Sequence, residues 1–186
     1  MKQVLIWMGL GALLLAGCSK SSDNGVGPTT ATGDDWTFPA NSTKFSATII
    51  TSKTPVAVGE VFYTKIVYYN ITQTFGTAIE VSYSPDKVRI LELAPGPLIA
   101  NDSTSLNVIQ IDSVAGKVSF GITYKAGSGK VFSGSNVLAR LKCQGKAAGT
   151  ASFTIDPSTF TIVQSDGTVI PNFSTLVLEN LSMQVQ

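Results

Sequence analysis

From Trp36 onward, apolar and polar positions alternate with period two along most of the chain. Phe45, Ala47 and Ile49 are separated by Ser46 and Thr48; Ile79, Val81 and Tyr83 by Glu80 and Ser82. Phe120, Ile122 and Tyr124 are separated by Gly121 and Thr123; Ala151, Phe153 and Ile155 by Ser152 and Thr154. Successive side chains of a strand point to opposite faces, so this pattern predicts strands with one buried face. The stretch from Phe62 to Ile71 differs, being apolar on both faces. Turn-forming clusters separate these runs: Pro55, Gly59, Ser84-Pro85-Asp86, Pro95-Gly96-Pro97, Ala115-Gly116, Gly127-Ser128-Gly129, Asp156-Pro157 and Asp166-Gly167. Asp-Gly suits a type I′ hairpin, whose two central positions need positive φ. No run of about ten residues or more combines helical periodicity with caps. About nine strands in roughly 150 residues predict an all-β fold, a β-sandwich.

The N-terminus has a different pattern. Met1-Lys2-Gln3 precedes an apolar run from Val4 to Ala16, which Gly17-Cys18 closes. A membrane-spanning helix needs roughly 20 apolar residues, and about 13 are present. One positive charge, a short apolar stretch and small residues predict a secretory signal peptide over residues 1–17. Leu15-Ala16-Gly17-Cys18 resembles the lipobox of bacterial lipoproteins. That resemblance implies that Cys18 is acylated, becomes the first mature residue and anchors the chain in a membrane. An N-terminal anchor helix, or an ordinary cleavage site beside a chance cysteine, is the alternative. Ser19 supplies no acidic retention signal, which fits the outer membrane or the cell surface within the envelope. Residues 18–35 hold few apolar side chains and predict a flexible tether, with a reach of about 20–25 Å. Residues 36–186 are left for the sandwich.

Composition narrows the function. The 186 residues contain 13 Lys+Arg, 12 Asp+Glu, no His and two Cys. Charged residues make up 13%, about half the usual share. Without His there is no Ser-His-Asp or Cys-His pair and no His-ligated metal. A net charge of +1 argues against nucleic acid as a partner. Glu60, Glu80, Glu92, Asp102, Asp112, Asp156 and Asp166 are scattered, and no two are brought together as glycoside hydrolysis requires. Gly127-Ser128-Gly129-Lys130 fails as a phosphate loop, because Tyr124 and Val131 occupy the positions of its first Gly and its Ser/Thr. Cys143, in phase with Val137, Ala139 and Leu141, reads as a buried, inert thiol. The chain reads as a binding protein, not an enzyme, with neither cofactor nor metal.

Three aromatic residues are candidate ligand contacts. Tyr63 and Tyr69 share one face of the Phe62–Ile71 strand and Tyr68 lies on the other. Alternation leaves open which set faces the core. An exposed Tyr63/Tyr69 stripe joined by Trp36 would stack on sugar rings; otherwise the tyrosines cover a sheet edge or lie under a loop, and Trp36 packs the chain entry onto the sandwich. Ala94 to Leu106 is the most loop-like part of the body. Its compact polar segment Asn101-Asp102-Ser103 is a candidate recognition loop.

Several segments, in order, resemble the cohesin domain of cellulosome scaffold proteins. Val56-Ala57-Val58-Gly59-Glu60 is similar to the family's opening turn. Ala78-Ile79-Glu80-Val81-Ser82-Tyr83-Ser84-Pro85-Asp86-Lys87-Val88 resembles its strand–turn element. Ile90-Leu91-Glu92-Leu93, Gly116-Lys117-Val118-Ser119-Phe120-Gly121, residues 134–155 and Asp166-Gly167-Thr168-Val169-Ile170-Pro171 continue the match. The resemblance covers about residues 45 to 186. It implies a nine-stranded jelly-roll that presents a flat sheet face to a dockerin, with calcium belonging to the dockerin. Related carbohydrate-binding modules share the sandwich, so a polysaccharide partner is the neighbouring expectation, and a self-packing envelope assembly subunit is a third. The sequence departs from dockerin-binding members at Gly76 and Ala78, where those carry polar side chains.

Overall fold

The computed structural model describes residues 35–40, 44–100, 102–169 and 175–186. The signal peptide, Cys18, the tether up to residue 34 and Asn101 lie outside the described residues.

The described chain is built from ten strands and one helical turn. In order these are β1 (Ser46–Thr51), β2 (Val61–Tyr83), β3 (Val88–Pro95), α1 (Pro97–Ala100), β4 (Ser105–Asp112) and β5 (Lys117–Tyr124). After them come β6 (Phe132–Gly145), β7 (Gly149–Ile155), β8 (Thr161–Gln164), β9 (Val177–Glu179) and β10 (Leu181–Val185). The expected all-β jelly-roll sandwich is present.

The two stretches read as separate strands, Phe62–Ile71 and Ile79–Tyr83, are one element, the 23-residue β2. Its first half lies between β1 and β6, and its second half between β5 on one side and β7 and β8 on the other. One strand therefore serves both layers. The first layer runs β9–β1–β2–β6–β3, and the second runs β10–β7–β2–β5–β4, with β8 also on β2. The passage between layers falls in residues 70–75. There the β2–β6 register shifts repeatedly, and Asn70 and Gln73 take left-handed backbone angles, with φ of 54° and 45°. Two serines of β6 replace the ladder bonds lost at this bend. Asn70 N donates to Ser135 Oγ at 3.1 Å and Gln73 N to Ser133 Oγ at 2.8 Å. A strand that changes sheets at a bulge is a usual way to turn a sandwich corner.

Alternation was a reliable guide to the inner faces. Val118, Phe120, Ile122 and Tyr124 of β5, and Ala151, Phe153 and Ile155 of β7, are buried in the main core. From β2 the inward set is Phe62, Ile66 and Tyr68. The Tyr68 hydroxyl donates to Thr77 Oγ1 at 2.8 Å, and Thr77 passes its own proton to the Thr161 carbonyl at 2.8 Å. Cys143 is buried, and burial pushes its thiol pKa up to about 12.

The opposite face of β2 is apolar for a separate reason. Val67 and Tyr69 form a second cluster with Val137, closed over by Trp36, Phe38 and Ile50. Residues 35–40 thus lie as a strap on the outer face of the first layer.

Candidate docking face

The second layer has a bare outer face, and the strand register explains its shape. One row across the sheet reads Leu106, Thr123, Gly76, Val163; the next reads Val108, Gly121, Ala78, Thr161. On β2, β5 and β8 these side chains point outward because their neighbours Thr77, Ile79, Phe120, Ile122 and Ile162 are buried, and the register places Leu106 and Val108 of β4 on the same face. Gly76, Ala78 and Gly121 leave the middle low, with Thr123 the one larger side chain there, while the flanks carry Leu106 and Val108 on β4 and Thr161 and Val163 on β8. A trough of about 420 Å³ results, floored by Gly76, Ala78 and Gly121. Val108 is 71% exposed and Leu106 51% exposed. No charged residue lines this trough.

A second hollow of about 200 Å³ continues the trough past Ala78 and Gly121 toward Glu80, Gln110 and Ser119. Here the surface turns polar. Lys117 Nζ donates to Glu80 Oε1 at 2.6 Å, and Ser119 Oγ donates to Glu80 Oε2 at 3.3 Å. The Glu80 carboxylate pushes the Lys117 ammonium pKa up, keeping this end of the face an ion pair. An apolar centre with a charged rim is the usual anatomy of a protein-binding patch.

Gly121 and Gly76 shape the floor differently. A Cβ at Gly121 would meet no atom within 4 Å, so the space above it is open. A Cβ at Gly76 would meet Thr123 Oγ1 at 2.9 Å and the Ile122 carbonyl at 3.0 Å, so close strand packing requires that glycine.

The expected aromatic stripe is not formed. Tyr69 is 2% exposed: its hydroxyl donates to the Pro39 carbonyl at 2.9 Å and Phe38 packs edge-on against its ring at 5.8 Å. Tyr63 and Trp36 are half-buried around Arg140, whose guanidinium lies 5.1 Å and 4.7 Å from their ring centres. These faces are taken up by the strap and a cation. Trp36 packs the chain entry onto the sandwich.

Asp102 is a staple. Its Oδ1 accepts from Thr104 N at 2.8 Å and Thr104 Oγ1 at 2.6 Å, and its Oδ2 accepts from Lys130 Nζ at 2.7 Å. Lys130 and Thr104 together hold its pKa down to about 2. The Ser103 carbonyl accepts from Lys125 Nζ at 2.8 Å. This loop is held to the 125–130 segment by its own polar groups. A hollow of about 710 Å³ opens beside it over Phe75, but its charged groups Lys130 and Asp166 are engaged by Asp102 and Thr168 N. Among the described residues no three Cys, Asp or Glu side chains converge as metal ligands.

Leu106, Val108, Gly121, Thr161 and Val163 were not marked by sequence reasoning. A glycine in mid-strand at 121, between buried Phe120 and Ile122, was the available signal, since such a glycine often marks close approach.

A type II cohesin domain from the cellulosome of Acetivibrio cellulolyticus superposes with a TM-score of 0.66 at 17% identity, covering 76% of this chain and 95% of that one. The fold is cohesin-like. A type II cohesin in a cohesin–X-dockerin complex from the same organism gives 0.61 at 14% identity, over 76% of this chain and 99% of that one. A non-cellulosomal cohesin from the archaeon Archaeoglobus fulgidus gives 0.57 at 17% identity, over 76% and 91%. No family model matches the chain, and no curated protein matches it.

Proposed function

We propose that this chain is a non-catalytic lipoprotein of the cell envelope, whose cohesin-like domain docks a dockerin-like protein on the trough between β4 and β8. The observation that carries this reading is the uncharged apolar trough on the outer face of the second layer. An amphipathic helix lays its apolar side chains into such a groove and leaves its polar edge to a charged rim. The Glu80–Lys117 pair provides that rim at one end. The complex of a structurally similar cohesin with a dockerin supports the class of partner. Anchoring rests on the lipobox-like sequence ending at Cys18. Gly76 and Ala78 shift the chemistry of contact from polar side chains to apolar burial. A polysaccharide partner is disfavoured, since Tyr69 is buried and Tyr63 and Trp36 are engaged by Arg140.

Gly121→Arg tests this directly. The new side chain enters open space, so the fold is retained while the trough is filled. Calorimetric titration of the full chain with calcium-loaded dockerin modules from the same genome should show binding that Gly121→Arg abolishes. Equal binding by both proteins, or none by either, would overturn the assignment.

A further inference from the structure

β4 is the outermost strand of the second layer, and its free edge carries none of the usual protection. Among the described residues it pairs only with β5, over eight consecutive residues with no bulge. It contains no proline and one charged residue, Asp112, at its end. The other outer strands are guarded. β3 has a bulge between Ile90 and Glu92 and carries Arg89 and Pro95. β8 and β9 are short, with four and three residues. β10 is covered by residues 56–58, with Val56 N donating to Gln184 O at 2.9 Å and Gln186 N to Val56 O at 2.8 Å. A long, flat, uncharged edge is a template for another strand.

The backbone parity of β4 identifies the available groups. Lys125 N donates to the Thr104 carbonyl at 2.7 Å, in the register that pairs Ser105 with Tyr124. Even-numbered residues therefore turn their N–H and C=O toward β5 and odd-numbered residues turn theirs outward. Ser105 N is already bonded to the Asp102 carbonyl at 2.9 Å. The N–H and C=O groups of Asn107, Ile109 and Ile111 remain, evenly spaced about Ile109. The same edge leaves core-side isoleucines uncovered: Ile109 is 37% exposed and Ile111 38%.

We propose that two copies of this chain pair antiparallel through β4, on a two-fold axis through Ile109. This register places Ile109 against its symmetry mate and Asn107 against Ile111 of the other copy. It uses the N–H and C=O groups of Asn107, Ile109 and Ile111 in about six interchain hydrogen bonds. It also closes the isoleucines against one another and opposes no like charges. Asp112 meets Leu106 of the other copy, but its Oδ1 is turned into its own turn by Val114 N and Ala115 N. The axis stands perpendicular to the sheet, so both troughs face the same way and form one doubled surface.

The full chain with Cys18→Ser, purified in detergent, should sediment with the detergent-corrected mass of two chains. Asn107→Pro should reduce it to one, because the lost N–H faces away from β5 and the β4–β5 ladder survives. Ile109→Lys, at a position already partly exposed, should give the same loss while keeping the β-sheet circular dichroism of the parent. Ile109→Cys should cross-link under mild oxidation, since paired Cα atoms about 5.5 Å apart suit a disulfide. Val108→Cys, opposite Gln110 of the other copy, should not. A single-chain mass at every concentration, a dimer indifferent to Asn107→Pro and Ile109→Lys, or equal cross-linking at 108 and 109 overturns the proposal.

Discussion

Lys65 lies on the strap-covered face of β2 with its side chain 1% exposed. An ammonium so placed is unfavourable unless it is paired and hydrogen-bonded. The strap supplies both partners: Asp35 Oδ1 and the Thr37 carbonyl each accept from Nζ at 2.8 Å. Asp35 falls in the expected flexible tether of residues 18–35, yet it ends the tether by clamping the chain to the sandwich. Sequence could not show this, because the pair spans thirty positions and joins a polar segment to a residue in an apolar strand. Asp35→Ala should cost about 2–3 kcal/mol in chemical denaturation, the loss expected when a buried charge keeps only part of its pairing and the lost partner is about one-third exposed. Lys65→Met should change stability by less than about 1 kcal/mol, since it removes the buried charge and keeps the aliphatic stem. Equal losses in the two variants would show that the packing of the strap, and not the ion pair, carries its attachment.

At the scale of elements, the strands legible in the sequence were those with one wet face. β5 and β7 follow from alternation alone. β2 was split in two because residues 70–75 interrupt the pattern, although Ser133 and Ser135 keep that bend hydrogen-bonded. β4 was not read as a strand, and the expected Ala94–Leu106 loop overlaps only its first two residues; Leu106, Val108, Ile109 and Ile111 break the two-residue period and every residue after Ser105 is exposed. The trough was hidden for the same reason: it depends on which residues of four strands fall in one row. The turn before β4 carries its own prediction. The Asp102 pKa in the folded chain, about 2, lies below its ordinary 3.8, so its stabilising contribution is complete above about pH 4. That contribution declines as pH falls toward 2, when protonation releases Lys130 and the Thr104 donors. Asp102→Asn should therefore unfold at lower denaturant concentration than the parent at pH 5, and the gap should close by pH 2. Asp156 and Asp166, whose pKa values are also held down by Ser158 and Thr168, titrate in both proteins and cancel in the comparison. A gap constant with pH would place the role of Asp102 in its shape and not its charge.

For the whole molecule, the decisive relation is between the strap and the trough. The strap crosses the outer face of the first layer, through contacts with β1, β2 and β6. The trough lies on the outer face of the second layer, between β4 and β8. The main core separates these two surfaces, so the proposed anchor leaves the domain on the side away from the proposed docking face. A strap clamped by Lys65, Tyr69 and Arg140 also fixes where the tether departs. Tether length then governs the distance to the membrane and not access to the trough. Deleting residues 22–31 should leave the affinity for a dockerin module unchanged when the lipidated chain is displayed on vesicles. Deleting residues 35–40 should act differently: it removes the Asp35 clamp and uncovers Lys65, Val67 and Tyr69, and should lower the melting temperature by several degrees or more, as loss of at least about 2–3 kcal/mol does in a domain of this size. Binding that falls in step with tether length would mean that the trough faces the bilayer, and would reverse the orientation argued here.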